Sequence, residues 1–117
     1  LVLGVGLAQV VIDADLFRIV AVRGLRCVVL NACYSEPQAQ VISKHVDCVV
    51  GISGSVLDQA ANAFSAGFYT GLAEGETVKI AFELGCLQIR LLNYHGADKP
   101  VLLTRAGVDP AQLRLIS

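Results

Sequence analysis

Residues 26–38 read RCVVLNACYSEPQ, and this stretch decides the fold. Its first part, residues 27–32, is a short uncharged run rich in Val, without the polar alternation of a half-exposed strand. A run of that kind suits a strand buried on both faces, as in a parallel sheet. Its second part opens a helix. Ser35 with Gln38 three residues on has the spacing of a capping box, and Pro37 suits a first helical turn. Cys33 therefore falls between the carboxyl end of a strand and the amino end of a helix. Ligands of open α/β sheets gather at that edge, and the positive end of a helix favours thiolate over thiol. Cys33 is the candidate nucleophile; the competing reading is a thiol that merely packs beneath the sheet edge.

Outward from this junction, similar apolar runs occur at 10–12, 48–52 and 101–103. Segments with helical spacing lie between them: Leu16, Val20 and Arg23 closed by Gly24; Ala39, Ile42 and Val46; then Leu57, Ala61, Phe64, Phe68 and Leu72 closed by Gly75. A further helix is predicted from Thr77 to about Leu91. The order predicts an α/β layered fold with right-handed crossovers, in which strands 27–32 and 48–52 are adjacent and parallel. Phe64, Phe68 and Tyr69 are spaced as the core face of a helix. No repeat or linker interrupts residues 1–117, so one domain is expected.

Composition narrows the function classes. Hydrophobic residues make up 55% of the 117 and charged residues 16%, which excludes intrinsic disorder. A formal charge of −1 leaves no basic surplus for a phosphate backbone, so nucleic acid is not an expected partner. The longest uncharged runs, 59–73 and 1–12, fall short of a bilayer span, and no membrane partner is expected. The apolar opening has no basic leader and no small-residue cleavage site, which points to a cytoplasmic protein. No Met occurs even at position 1, so the chain is expected to be a fragment or a processed piece.

Cysteines at 27, 33, 48 and 86 give none of the close pairs used by zinc sites or redox dithiols, and no metal or cofactor is expected. Cys27, Cys48 and Cys86 read as small buried hydrophobes. Gly4-Val5-Gly6 lacks the third glycine, preceding strand and acidic partner of a dinucleotide fingerprint. A nucleophile also needs a base. His45 is expected at the far end of the helix that Cys33 precedes, about 15 Å away at the helical rise. His95, in the loop before the last strand, is expected at the opposite sheet edge, a strand length or roughly 17–20 Å away.

The segments VVLNACYSEPQAQ and VDCVVGISGSVLDQAANAFSAGFYTGLAEGETVKIAFELG resemble the CHAT domain of caspase-like cysteine peptidases. The likeness runs from Leu25 to about Gly85 and extends plausibly to GVDP near the end. It implies a caspase-like layered fold with a mostly parallel sheet flanked by helices, and it makes Cys33 the nucleophile of a cysteine endopeptidase, a hydrolase acting on protein or peptide substrates. The family's base is a His in a His-Gly motif that ends the preceding strand. No His-Gly precedes Cys33 here, and LVLGVGLAQVVIDADLFRIV is similar to the segment that follows that motif. The resemblance thus implies the cysteine-bearing half of a CHAT domain, with N-terminal strands missing and the isolated chain inactive. Apolar surface left uncovered by that omission fits the hydrophobic excess. Implied partners are the missing N-terminal half or a regulatory domain of the parent protein.

Asp58 has two readings. It sits near the start of the long helix, where Ser55 could cap, and a carboxylate there is stabilising without any function. In the related separases an acidic residue on the corresponding stretch lines the pocket for the side chain before the scissile bond, which would make Asp58 a substrate-binding residue selective for Arg or Lys. The alternative function for the whole chain is a catalytically inactive CHAT-derived binding or scaffolding module that associates through an open sheet edge.

Overall fold

The structure is a computed structural model that describes residues 2–5 and 26–115. The strand expected at 10–12 and the helix expected around Leu16, Val20 and Arg23 lie outside the described residues. The chain forms an α/β fold of two compact units, the first comprising the described residues up to Gly54 with Val101–Val108, the second Ser55–Pro100 with the described residues from Asp109 on.

The first unit is built on a four-stranded sheet of order β1-β2-β3-β4. Its strands are β1 (Val2–Val5), β2 (Cys27–Leu30), β3 (Cys48–Ile52) and β4 (Pro100–Thr104). β1 runs parallel to β2, Val2 opposite Cys27 and Val5 opposite Leu30. β2 runs parallel to β3, Cys27 opposite Cys48 and Val29 opposite Val50, as the two apolar runs predict. Both central strands are buried along their full length. β1, which no apolar run singled out, supplies at Val2–Val5 the strand expected to be missing from the glycine fingerprint, and the third glycine is still absent.

β4 is the exception in direction. Arg105, just past its end, donates its amide to the carbonyl of Asp47, just before β3 begins, at 3.0 Å. The end of β4 therefore lies beside the start of β3, the two strands run opposite ways, and the sheet is mixed. Asp47 also takes the guanidinium groups of Arg26 at 2.9 Å and Arg105 at 2.6 Å, pinning the starts of β2 and β3 and the end of β4 together.

Helix α1 (Glu36–Ile42) crosses from β2 to β3. Its Ala39 and Ile42 pack with Val28, Leu30, Val46 and Val49 into one core cluster, with Leu103 of β4 against it. The approach of helix to strand is close: a Cβ on Gly51 would come within 2.8 Å of the Ala39 Cβ.

The second unit is a helix pair, α2 (Asp58–Ala73) and α3 (Val78–Leu91). α2 starts later than a Ser55 cap would place it. Its capping position is the extended Leu57, which offers no side-chain acceptor, and Leu57 itself is exposed rather than core. Gly75, at φ +81°, turns the chain out of α2 as its position predicts. Thr77 caps α3, its Oγ1 accepting from the Ile80 amide at 3.3 Å. Amides of the first turn of α3 that have no partner inside the helix donate to the chain's last described segment, Val78 to the Leu113 carbonyl and Lys79 to that of Pro110.

Small residues set the distance between α2 and α3. A Cβ on Gly67 would lie 2.6 Å from the Leu84 carbonyl oxygen, and one on Gly85 would lie 2.5 Å from the Phe64 ring. Gly67 and Gly71 face Ala81 and Gly85, each pair four residues apart, so one helix backbone sits against the other. Phe64 stacks on Phe68 at 5.7 Å and meets Phe82 edge-on at 5.5 Å. Phe64 and Phe68 are core as predicted, whereas Tyr69 is on the exposed side.

Candidate functional site around Cys33

β2 ends at Leu30, two residues before the expected limit, because the backbone turns through residues 31–35. Tyr34 takes a left-handed conformation, φ +58°, which a non-glycine side chain adopts at a cost. Two ties hold the turn. The Tyr34 amide donates to the Gly54 carbonyl at 2.9 Å. Ser35 is buried, and its Oγ accepts the Ile52 amide at 3.0 Å.

That second tie replaces the expected capping box. Ser35 does occupy the capping position of α1 and Pro37 its first turn, but no side-chain cap bond forms. The Ser35 backbone, at φ −88° and ψ 2°, departs from the extended geometry that points a capping oxygen at the next turn's amides. The hydroxyl instead serves the end of β3, seventeen residues on. The Ser35 side chain thus ties the turn carrying Cys33 to β3, while the Ser35 carbonyl accepts the Ala39 amide of α1 at 3.0 Å.

The Cys33 thiol is exposed, and the other three are buried. Cys27 and Cys48 stand opposite each other on the central strands. A hydrogen bond to Cys48, in which the Cys27 thiol keeps its proton, and burial together push the Cys27 thiol well above its ordinary range. Burial raises Cys86, which feels Arg90 in the opposite sense and Glu83 in the same sense. Among the described residues no group of three His, Cys, Asp or Glu side chains is arranged to hold a metal, and no helix is long and apolar enough to cross a membrane.

His45 lies beyond the end of α1, which spans only seven residues, in the turn leading to β3. His95 is exposed and lies before β4, in the second unit. The premise that set His95 at the far sheet edge, a fourth strand parallel to the rest, does not hold, because β4 runs opposite to β3. Asp58 is the first residue of α2 in the second unit and is exposed. Sequence reasoning missed a cavity of about 320 Å³ lined by Ala66, Gly67, Thr70, Glu74, Leu84 and Gln88. Among its lining residues, Ala66, Gly67 and Thr70 are small residues on one stretch of α2, a signal that the large residues of that helix overshadowed.

No protein-family model matches the chain. No curated protein is significantly similar to it either.

Proposed function

We propose that this chain is the nucleophile-bearing half of a caspase-like CHAT-type cysteine endopeptidase that cleaves protein or peptide substrates in the cytoplasm, with Cys33 as the attacking thiolate. One observation carries the reading: of four thiols Cys33 alone is exposed, and it stands in an anchored, left-handed turn at the carboxyl end of a central parallel strand. A reactive thiol must be reachable and held still.

In this reading the Cys33 Sγ attacks the scissile carbonyl carbon, and the tetrahedral intermediate collapses to a thioester as the amine leaves. A histidine from polypeptide outside these 117 residues takes the thiol proton and returns it to that amine. Water then attacks the thioester, releases the acid and restores the thiol. The Tyr34 amide already serves Gly54, so an oxyanion would draw on other donors around the turn. Asp58 would select Arg or Lys before the cleaved bond.

The test uses the parent protein with its full polypeptide and fluorogenic peptides ending in Arg or Leu. Cys33→Ala should lower turnover by at least about a thousandfold. Asp58→Asn should lower the preference for Arg over Leu by about tenfold or more. Unchanged turnover in Cys33→Ala would overturn the reading. Activity of the 117-residue chain alone that disappears in His95→Ala would overturn the external base.

A further inference from the structure

We propose that the outward face of α3 is a self-association surface, on which two copies of this chain pair their α3 helices antiparallel. α3 buries Val78, Ala81, Gly85 and Ile89. At 100° per residue its opposite side carries Ile80, Leu87 and Leu91, with Leu84 on the edge of that side toward α2, where it lines the groove beside Gly67. Their spacing of four, three and four residues is the a/d alternation of helices that pack side by side. Yet Ile80 is 41% exposed, Leu87 41% and Leu91 64%, while Leu84 is partly covered. An apolar stripe in that pattern facing solvent marks an interaction surface.

Charge selects the occupant. Glu83 and Arg90 lie one heptad apart on the same flank of the stripe, and both act on the thiol of Cys86 between them. In an antiparallel pair centred between Leu84 and Leu87, each Leu84 meets Leu87 of the second copy and each Ile80 meets Leu91. The same arrangement brings each Glu83 beside Arg90 of the second copy, giving two opposite-charge contacts by symmetry. A parallel pair would set Glu83 against Gln88 and leave Arg90 without an acidic partner. The stripe is self-complementary in one orientation only. Its length of about 17 Å is shorter than standard interfaces need, so the association is weak and concentration-dependent.

Sedimentation velocity of the full chain between about 10 μM and about 1 mM tests this. The dimer fraction should rise with concentration. Glu83→Arg and Arg90→Glu should each raise the half-association concentration at least about tenfold, because each puts like charges together twice. An equimolar mixture of the two variants should associate as the native chain does, since every contact is again between opposite charges. Leu87→Gln, at an exposed position, should abolish the dimer while the far-ultraviolet dichroism stays native. A native chain monomeric throughout, single reversals without effect, or a mixture that stays monomeric would each overturn the proposal. A monomeric chain that binds vesicles of anionic phospholipid would assign the stripe to a lipid surface and also overturn it.

Discussion

The β2–turn–α1 junction and the α2–α3 pair use unusual backbone in opposite ways. At the junction, a left-handed Tyr34 and a buried Ser35 hold the chain so that one side chain, the Cys33 thiol, stands in solvent. In the helix pair, residues without side chains let two backbones meet, and a single methyl at Gly67 or Gly85 has no room. Exposure is the product of the first arrangement and exclusion of the second. Changes at the junction should therefore alter the reactivity of Cys33, whereas changes between the helices should alter stability and spare the thiol.

The largest expected difference separates the thiols. Iodoacetamide under native conditions should alkylate Cys33 more than about a hundredfold faster than Cys27 or Cys48, which must await opening of the sheet. Peptide mapping over time gives the rates. Equal rates at Cys33 and Cys27 would break the contrast at its first term.

Next comes the cost of a methyl between the helices. In an open helix, glycine to alanine gains about 1 kcal/mol. In Gly85→Ala the new Cβ would lie 2.5 Å from the Phe64 ring and 2.8 Å from the Phe64 carbonyl oxygen. That backbone oxygen cannot swing aside as a flexible side chain would, so the helices must part, and overpacking costs about 1–3 kcal/mol or more. The net expectation is a loss of up to about 2 kcal/mol, read as a thermal midpoint lower by up to about 10 °C, with Cys33 alkylation unchanged at temperatures where the variant is folded. A higher midpoint would show that the pair can relax.

The same contrast explains what the sequence could tell. β3 was legible to its limits, 48–52, because charged Asp47 and polar Ser53 bound a fully apolar run. The helix expected from Thr77 to about Leu91 is α3, with Thr77 as its cap. Signals that compete over distance were not legible. Ser35 has the local spacing of a capping box, but the Ile52 amide, remote in sequence, claims its hydroxyl. The run at 101–103 announced a strand without a direction, since three apolar residues look alike whichever way they run, and the reversal of β4 emerges only from Arg105 meeting Asp47. The core face of α2 was traced through its large residues, which hid the face made by Gly67 and Gly71. At the candidate site, the exposure of Cys33 could be read from its polar neighbours, but the left-handed Tyr34 beside it could not.

A further effect sharpens the junction's side of the comparison. In Ser35→Ala the buried Ile52 amide loses its acceptor, and an orphaned buried donor costs about 1–3 kcal/mol. The residue also anchors the turn, so alkylation of Cys33 should change in the same variant. Chemical denaturation supplies the first number and peptide mapping the second. A loss of stability with an unchanged Cys33 rate would mean that the Tyr34 to Gly54 bond holds the turn by itself.

The smallest effect concerns pH and the buried pair on the central strands. The Cys48 hydrogen bond and burial hold the Cys27 thiol well above its ordinary value of 9.0, so the folded chain keeps a proton that the unfolded chain gives up. Below about pH 9 both states are protonated there, and Cys27 contributes no pH dependence. Above it the unfolded state binds fewer protons, so stability falls as pH rises, and the contribution is lost as pH passes through the raised folded value. The slope approaches about 1.4 kcal/mol per pH unit for one fully released proton. Lysines and tyrosines titrate over the same range, so the test is a difference between two chains. Cys27→Ala should be less stable throughout, through lost packing, but its urea midpoint should fall less steeply between about pH 9 and about pH 10. Parallel slopes in the two chains would mean that the Cys27 proton is not linked to folding, and that the thiols of the central strands differ from Cys33 in exposure alone.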